Sequence, residues 1–293
     1  MKTVFPNYYS EFKCIADKCK HSCCVGWEID IDSESLAVYR EHKGVLKERF
    51  KNSISDKYVP HFILDEGERC PFLNSSNLCD IYREMGEQSL CQICTDHPRF
   101  RNFYSDFTEI GLGLCCEEAC RIILGRTDKF ELLCDDNMTC NEYESKFLEF
   151  RQSVFDILQD REHPFELRAT KMFETLEIEF NTDKFSELYC GLEYMDVDIS
   201  YVLNNSVCLP DIILENLCIY FLYRHLTESL DDNRFSERVV FAYISAKVIE
   251  SMCKSTDFEE ITECARIYSS EIEYSEENVE TILERIGNMI LRH

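Results

Sequence analysis

The chain has 293 residues, 45 % hydrophobic and 12 % aromatic, with 18 cysteines and a formal net charge of −25. The length allows one large domain or two smaller ones, and the apolar content excludes wholesale disorder. Such acidity repels a phosphate backbone, which excludes nucleic acid as the main partner and favours a basic one.

In chain order, Met1-Lys2-Thr3-Val4-Phe5-Pro6 lacks the apolar stretch of a signal peptide. Residues 27–31, Trp-Glu-Ile-Asp-Ile, alternate like a short strand. Helices are predicted over 34–50 and 79–86, separated by irregular, cysteine-rich sequence. From 141 onward the pattern is helical. Residues 141–159 place Tyr143, Phe147, Phe150, Val154, Phe155 and Leu158 at spacings of three and four. Pro164 opens a helix to about 180, and Asp183 caps another through 194. Pro210-Asp211 starts a strongly apolar helix to about 226, and helices over 236–252, 257–269 and 275–291 follow. The run 212–226 is interrupted by Glu215, Asn216, Arg224 and His225. No apolar run reaches the ~18 residues of a transmembrane segment, so a cytoplasmic chain with reduced thiols is expected.

Charge and cysteine density change together. Residues 1–140 carry net −7 and residues 141–293 carry −18. Eleven cysteines precede residue 121, at 14, 19, 23, 24, 70, 79, 91, 94, 115, 116 and 120. The expected organisation is a cysteine-rich metal or iron–sulfur region over 1–135 and an acidic helical region over 136–293. The fold class is mostly α, with the irregular metal-binding N-terminal region packed on the helical one. Inert buried cysteine has no reason to cluster, whereas a metal needs several thiolates within about 2.3 Å. A disulfide framework, structural zinc and an iron–sulfur cluster are the three readings. Cys91-x2-Cys94 has knuckle-like spacing, and soft thiolates suit both metals. The seven later cysteines read as ordinary thiols, Cys218 most plainly.

Other motifs carry less. Glu109-Ile110-Gly111-Leu112-Gly113 has the acid-x-Gly-x-Gly form of a nucleotide-binding loop. No apolar strand precedes it and the third glycine is missing, so a strand or turn leading to Cys116 is the plainer reading. His97-Pro98-Arg99 reads most plainly as a polar residue in a Pro-containing turn, with completion of a mixed metal site or donation to cluster sulfur as the sharper alternatives. Arg99 and Arg101 are candidates to balance cluster charge. Trp27 reads as packing. No hydrolase motif is present.

As a set, the cysteine-bearing segments resemble the flagellin lysine-N-methylase family. The resemblance is carried by Phe12-Lys13-Cys14, Cys19, and Ser22-Cys23-Cys24-Val25-Gly26-Trp27-Glu28-Ile29-Asp30-Ile31-Asp32. It continues in Cys70-Pro71-Phe72-Leu73, Leu78-Cys79-Asp80-Ile81-Tyr82, Gly86-Glu87-Gln88-Ser89-Leu90, Cys94 through Arg99, and 113–121. It implies S-adenosylmethionine-dependent methylation of lysine ε-amines of flagellin, with an iron–sulfur cluster involved, [4Fe–4S] or else zinc. It places the metal ligands among Cys14, Cys19, Cys23, Cys24, Cys70, Cys79, Cys94 and Cys116. Cys91, Cys115 and Cys120 stand as additions to that pattern. Eight candidates exceed the four ligands of one cluster. The Cys-x3-Cys-x2-Cys run of radical S-adenosylmethionine enzymes is absent, and no catalytic base is identified. The rivals are a non-enzymatic zinc or iron–sulfur module organising a helical interaction domain, and a redox or iron-handling protein.

Overall fold

The computed structural model describes residues 2–134, 139–180, 185–203 and 207–291. Contacts divide the chain into two compact units, Lys13–Arg99 and Met1–Phe12 with Phe100–His293. The chain is mostly α. A boundary at 135/136 tracks charge and cysteine density, but contacts group the residues differently. Strand Lys2–Pro6 pairs in parallel with strand Phe107–Leu112, Lys2 opposite Phe107 and Val4 opposite Glu109. Its other edge pairs antiparallel with Leu132–Cys134. Arg99–Phe103 completes the four-stranded sheet beyond Phe107–Leu112. The first residues therefore join the unit that begins a hundred residues later.

In that larger unit the helices follow the periodicity and its caps. Asn141 forms a capping box with Glu144 at the start of Glu142–Leu158. Pro164 precedes Phe165–Thr175, which ends five residues short of the predicted stop. The predicted cap Asp183 lies outside the described residues, and the helix behind it is short, Phe185–Leu188. Asp211–His225 and Phe235–Met252 are buried almost all round and pack on each other, as helices without a polar face must. Each fully buried aliphatic side chain there contributes about 1.5–3 kcal/mol. Phe258–Tyr268 is capped by Asp257, and Glu276–Gly287 by Ser275. Between them Ser269–Glu273 is a π-helical turn.

The polar residues that interrupt the apolar helix are all partnered. Glu215 accepts from Arg168 Nη1 at 2.5 Å and Arg161 Nη2 at 2.8 Å. Arg224 Nε lies 3.1 Å and His225 Nε2 2.7 Å from the buried Glu273 carboxylate. Asn216 donates to the Arg126 carbonyl at 3.0 Å. These side chains tie the helix to its neighbours, so the polar breaks in the run mark packing contacts between segments far apart in sequence.

The Lys13–Arg99 unit is built differently. Its core has eleven buried residues, and two of them are Cys70 and Cys91. The aromatic part stacks Tyr39 on Phe50 at 4.4 Å and sets Phe72 4.7 Å from Phe50 and 4.9 Å from Phe62. Arg49 lies over the Phe72 ring, donates to the Pro71 carbonyl at 2.7 Å and pairs with Asp80. The predicted helix over 34–50 is two helices, Ser33–Glu41 and Lys47–Ser53. The chain turns extended at His42, and a Cβ on Gly44 would stand 2.6 Å from the His42 ring. The predicted helix over 79–86 is Asp80–Met85, and Gly86 ends it at φ +90°. Residues 27–31 keep the alternation as burial, with Ile29 and Ile31 inside, but form only one bridge, Asp30 to His61. From Lys13 to Glu28 no residue is buried.

Candidate metal centre

Short backbone ties bring cysteines from four segments of the Lys13–Arg99 unit together. The Cys70 amide donates to the Cys24 carbonyl at 2.8 Å. Leu73 bridges Cys79, and the Asp80 amide donates to the Phe72 carbonyl at 2.8 Å, which folds 70–73 against 78–80. Asp32 caps Ser33–Glu41 through the Ser35 amide at 2.9 Å. Its other oxygen accepts the Gln92 amide at 2.8 Å, fixing the start of helix Gln92–Asp96. Tyr39 Oη donates to the Ser89 carbonyl at 2.7 Å from the opposite side. Cys91 and Cys94 ride on that helix start.

As a result Cys70 lies within electrostatic reach of Cys24, Cys79, Cys91 and Cys94, and Cys24 within reach of Cys79 and Cys94. Burial pushes the Cys70 thiol up to about 12, with Cys24, Cys79 and Cys91 adding to it. Burial also raises Cys79. The Cys91 and Cys94 sulfurs are 3.3 Å apart and share one hydrogen bond. That bond lowers Cys91 and raises Cys94, so the pair releases its protons in two steps. A hydrogen bond from Cys23 pulls Cys24 down to about 7 against its burial, helped by Ser22 and the Arg69 guanidinium. Arg69 is held by the Asn74 carbonyl at 2.7 Å and Asn77 Oδ1 at 2.8 Å.

The eight cysteines named from sequence are placed unequally. Cys24, Cys70, Cys79 and Cys94 belong to the cluster just described. Cys14 and Cys23 are exposed. Cys14 Sγ accepts the Ala16 amide at 3.4 Å, and Cys19 Sγ lies 3.1 Å from the His21 carbonyl. Cys116 belongs to the other unit, at the cap of helix Glu117–Leu124. Cys91, set aside as an addition, stands inside the cluster, and its signal was the knuckle-like spacing to Cys94. Arg69 had no sequence signal, because it comes to Cys24 through a long-range turn. Arg99 donates to the Thr95 carbonyl at 3.0 Å, closing helix Gln92–Asp96. His97 packs 5.8 Å from the Trp27 ring, and its own burial, with Arg99 adding, pulls its pKa down to about 4.

The donor set is soft thiolate throughout, which fits zinc or an iron–sulfur cluster in kind. As they stand, no three His, Cys, Asp or Glu side chains among the described residues close around one point. Two thiolates on one tetrahedral ion stand about 3.8 Å apart at ~2.3 Å bonds, so Cys91 and Cys94 separate slightly when a metal is bound.

The nucleotide-loop reading of 109–113 does not match the structure. Glu109 lies in strand Phe107–Leu112, fully buried, and its carboxylate is spanned by Arg151. A Cβ on Gly111 would meet the Phe100 ring at 2.2 Å. The glycine is there for Phe100, and the acid is there for Arg151.

Three curated relatives match part of this chain. Proteins named lysine-N-methylase from Salmonella typhimurium and Salmonella choleraesuis are 24 % identical over 138 residues, 43 % of this chain and 33 % of theirs. The chain is similar to lysine-N-methylases. The flagellar biosynthetic protein FliU of Salmonella muenchen is also 24 % identical over 138 residues, covering 79 % of its length. The match thus spans about a third of the two lysine-N-methylases. No family model matches the chain, and no solved structure does.

Proposed function

We propose that the chain is a protein-lysine N-methyltransferase that moves methyl from S-adenosylmethionine to lysine ε-amines of flagellin. The relatives named lysine-N-methylase carry this reading. The name of the FliU relative supports the flagellar substrate. The thiol cluster of Lys13–Arg99 supports a resident [4Fe–4S] cluster, with zinc as the alternative. Cys24, Cys70, Cys79, Cys91 and Cys94 are the closest candidates to hold it, and Cys14, Cys19 and Cys23 lie on the segment that leads into Cys24. When bound, an iron–sulfur cluster supplies a redox-active centre whose potential follows the hydrogen bonds and charge around its sulfurs. Arg69 beside Cys24 favours the thiolate form that a metal needs. No helix among the described residues is long and apolar enough to cross a membrane, in line with action in the cytoplasm, where thiols stay reduced.

The acidic surface, net −25 overall, attracts protonated lysine. Methyl transfer to nitrogen needs the amine neutral, and neighbouring carboxylates raise its pKa. A proton must therefore leave the docked lysine before transfer. The test is to purify the protein without oxygen, incubate it with flagellin and S-adenosylmethionine, and weigh the flagellin. The expected result is a mass gain in methyl units, mapped to lysines. No gain with the metal group intact overturns the reading.

A further inference from the structure

Cys91 and Cys94 open helix Gln92–Asp96, and their sulfurs are in contact. Cys91 occupies the cap position and Cys94 lies in the first turn. Cys91 Sγ donates to Cys94 Sγ at 3.3 Å. The backbone beneath the pair is pinned from two sides. The Cys91 carbonyl accepts the Thr95 amide at 3.1 Å and the Thr95 hydroxyl at 3.3 Å, and Asp32 holds the Gln92 amide at 2.8 Å. Two thiolates on one tetrahedral ion stand about 3.8 Å apart, so these thiols already lie closer together than a metal would hold them. Residues three apart at a helix start also fall well inside the Cα separation that a disulfide tolerates. The pair thus has two states within small movements of each other, one opened on a metal and one closed on itself.

We propose that Cys91 and Cys94 are an oxidation switch on the metal centre: in the metal-free chain a low-molecular-weight disulfide joins them in a cystine that blocks loading until it is reduced. The inference rests on the reading of the thiol cluster as a metal centre. Cys91 is completely enclosed while Cys94 is half-buried, so Cys94 meets the reagent first. Its thiolate attacks one sulfur of the small disulfide. That S–S bond breaks, and the departing small thiolate takes up the proton that Cys94 gave up. Cys91 then loses its proton and attacks the Cys94 sulfur, expelling the second small thiolate, which takes up that proton. Two protein thiols are oxidised by two electrons, and the small disulfide is reduced to two thiols. A dithiol reductant runs the same steps backward. Closing the pair removes two of the five closest candidate donors. Three remain, one short of the four that a tetrahedral zinc or a [4Fe–4S] cluster takes.

The experiment uses the full wild-type chain, stripped of metal without oxygen and treated with cystamine. One portion is alkylated and digested with trypsin. Cleavage after Arg83 and Arg99 releases peptide 84–99, which holds Cys91 and Cys94 and no other cysteine. In most molecules this peptide is expected without alkyl groups and two hydrogens lighter than its reduced form. A second portion is offered zinc, or ferrous iron with sulfide, and metal per chain is measured before and after dithiothreitol. The oxidised chain is expected to take up several-fold less metal than the reduced one and to recover after reduction. Peptide 84–99 recovered alkylated, carrying cysteamine, or linked to another cysteine peptide overturns the proposal. So does an oxidised chain with the internal cystine that loads as fully as the reduced chain. A reduced chain that takes up neither metal refutes the metal-centre reading itself and the switch with it, so the two failures are told apart.

Discussion

Replacing Arg151 by methionine separates a structural role for Glu109 from a ligand-binding one. Arg151 Nη1 donates to Glu109 Oε2 at 2.8 Å and to Tyr104 Oη at 3.1 Å, and its second nitrogen donates to the other Glu109 oxygen. The guanidinium sits 5.6–5.7 Å from the rings of Phe147, Phe155 and Tyr223. Both partners are almost completely enclosed, at 2 % and 1 % side-chain exposure. Methionine restores much of the stem volume but leaves the Glu109 carboxylate buried without its counter-ion. Breaking such a pair costs about 3–5 kcal/mol. For a unit of this size each kcal/mol lowers the melting midpoint by about 2–4 °C, so a fall of roughly 6–20 °C is expected. Far-UV circular dichroism during urea or thermal unfolding reports it, because most of the helix lies in this unit. Trp27, the only tryptophan, lies in Lys13–Arg99 and reports on that unit separately by fluorescence. Removing both charges in Arg151→Met with Glu109→Leu recovers most of the loss. A single variant that loses less than about 1 kcal/mol refutes the reasoning, as does a double variant less stable than the single.

Gly111→Ala drives a methyl into the Phe100 ring and costs about 1–3 kcal/mol, read as a lowered urea midpoint that Phe100→Leu partly restores. Glu144 is buried, which raises its pKa, but the Ser105 side chain at 2.6 Å, the Ser105 amide at 2.8 Å and the Asn141 amide at 3.2 Å outweigh this and lower it. Its contribution is therefore full above the ordinary glutamate range near ~4.3 and is lost as pH falls through the lowered value. The stability gap to Glu144→Gln, about 1–3 kcal/mol at neutral pH, should close under acid in parallel denaturation curves. Cys91→Ala should reduce bound metal several-fold while Cys115→Ala, in the other unit, leaves it unchanged, measured by elemental analysis of anaerobic protein. Equal loss in both would show that the Cys91 cluster is not the centre.

The helices of the larger unit were legible because local signals set them: Asn141, Asp257 and Ser275 cap where the apolar spacing begins. The sheet was not legible. Lys2–Pro6 has no strand pattern of its own and becomes one by pairing with residues 107–109. At 109–113 the plainer reading, a strand leading toward Cys116, holds, while Arg151 and Phe100, which account for Glu109 and Gly111, are remote or invisible to spacing. In the Lys13–Arg99 unit the clustering of cysteines pointed to segments that the backbone ties bring near one another. The resemblance then ranked Cys91 below Cys94, although the spacing of the two had already joined them. Arg69 could not be found from sequence, because its approach to Cys24 depends on the turn at 65–69 and on Asn74 and Asn77.

The central claim is that the thiols of Lys13–Arg99 hold a metal group on which methyl transfer depends. Iron, zinc and acid-labile sulfide per chain, measured on anaerobically purified wild type beside Cys70→Ser and Cys94→Ser, test it most directly. Matched iron and sulfide in the wild type, lost in both variants, is the expected result. Metal-free wild type, or full iron and sulfide in both variants, would contradict it.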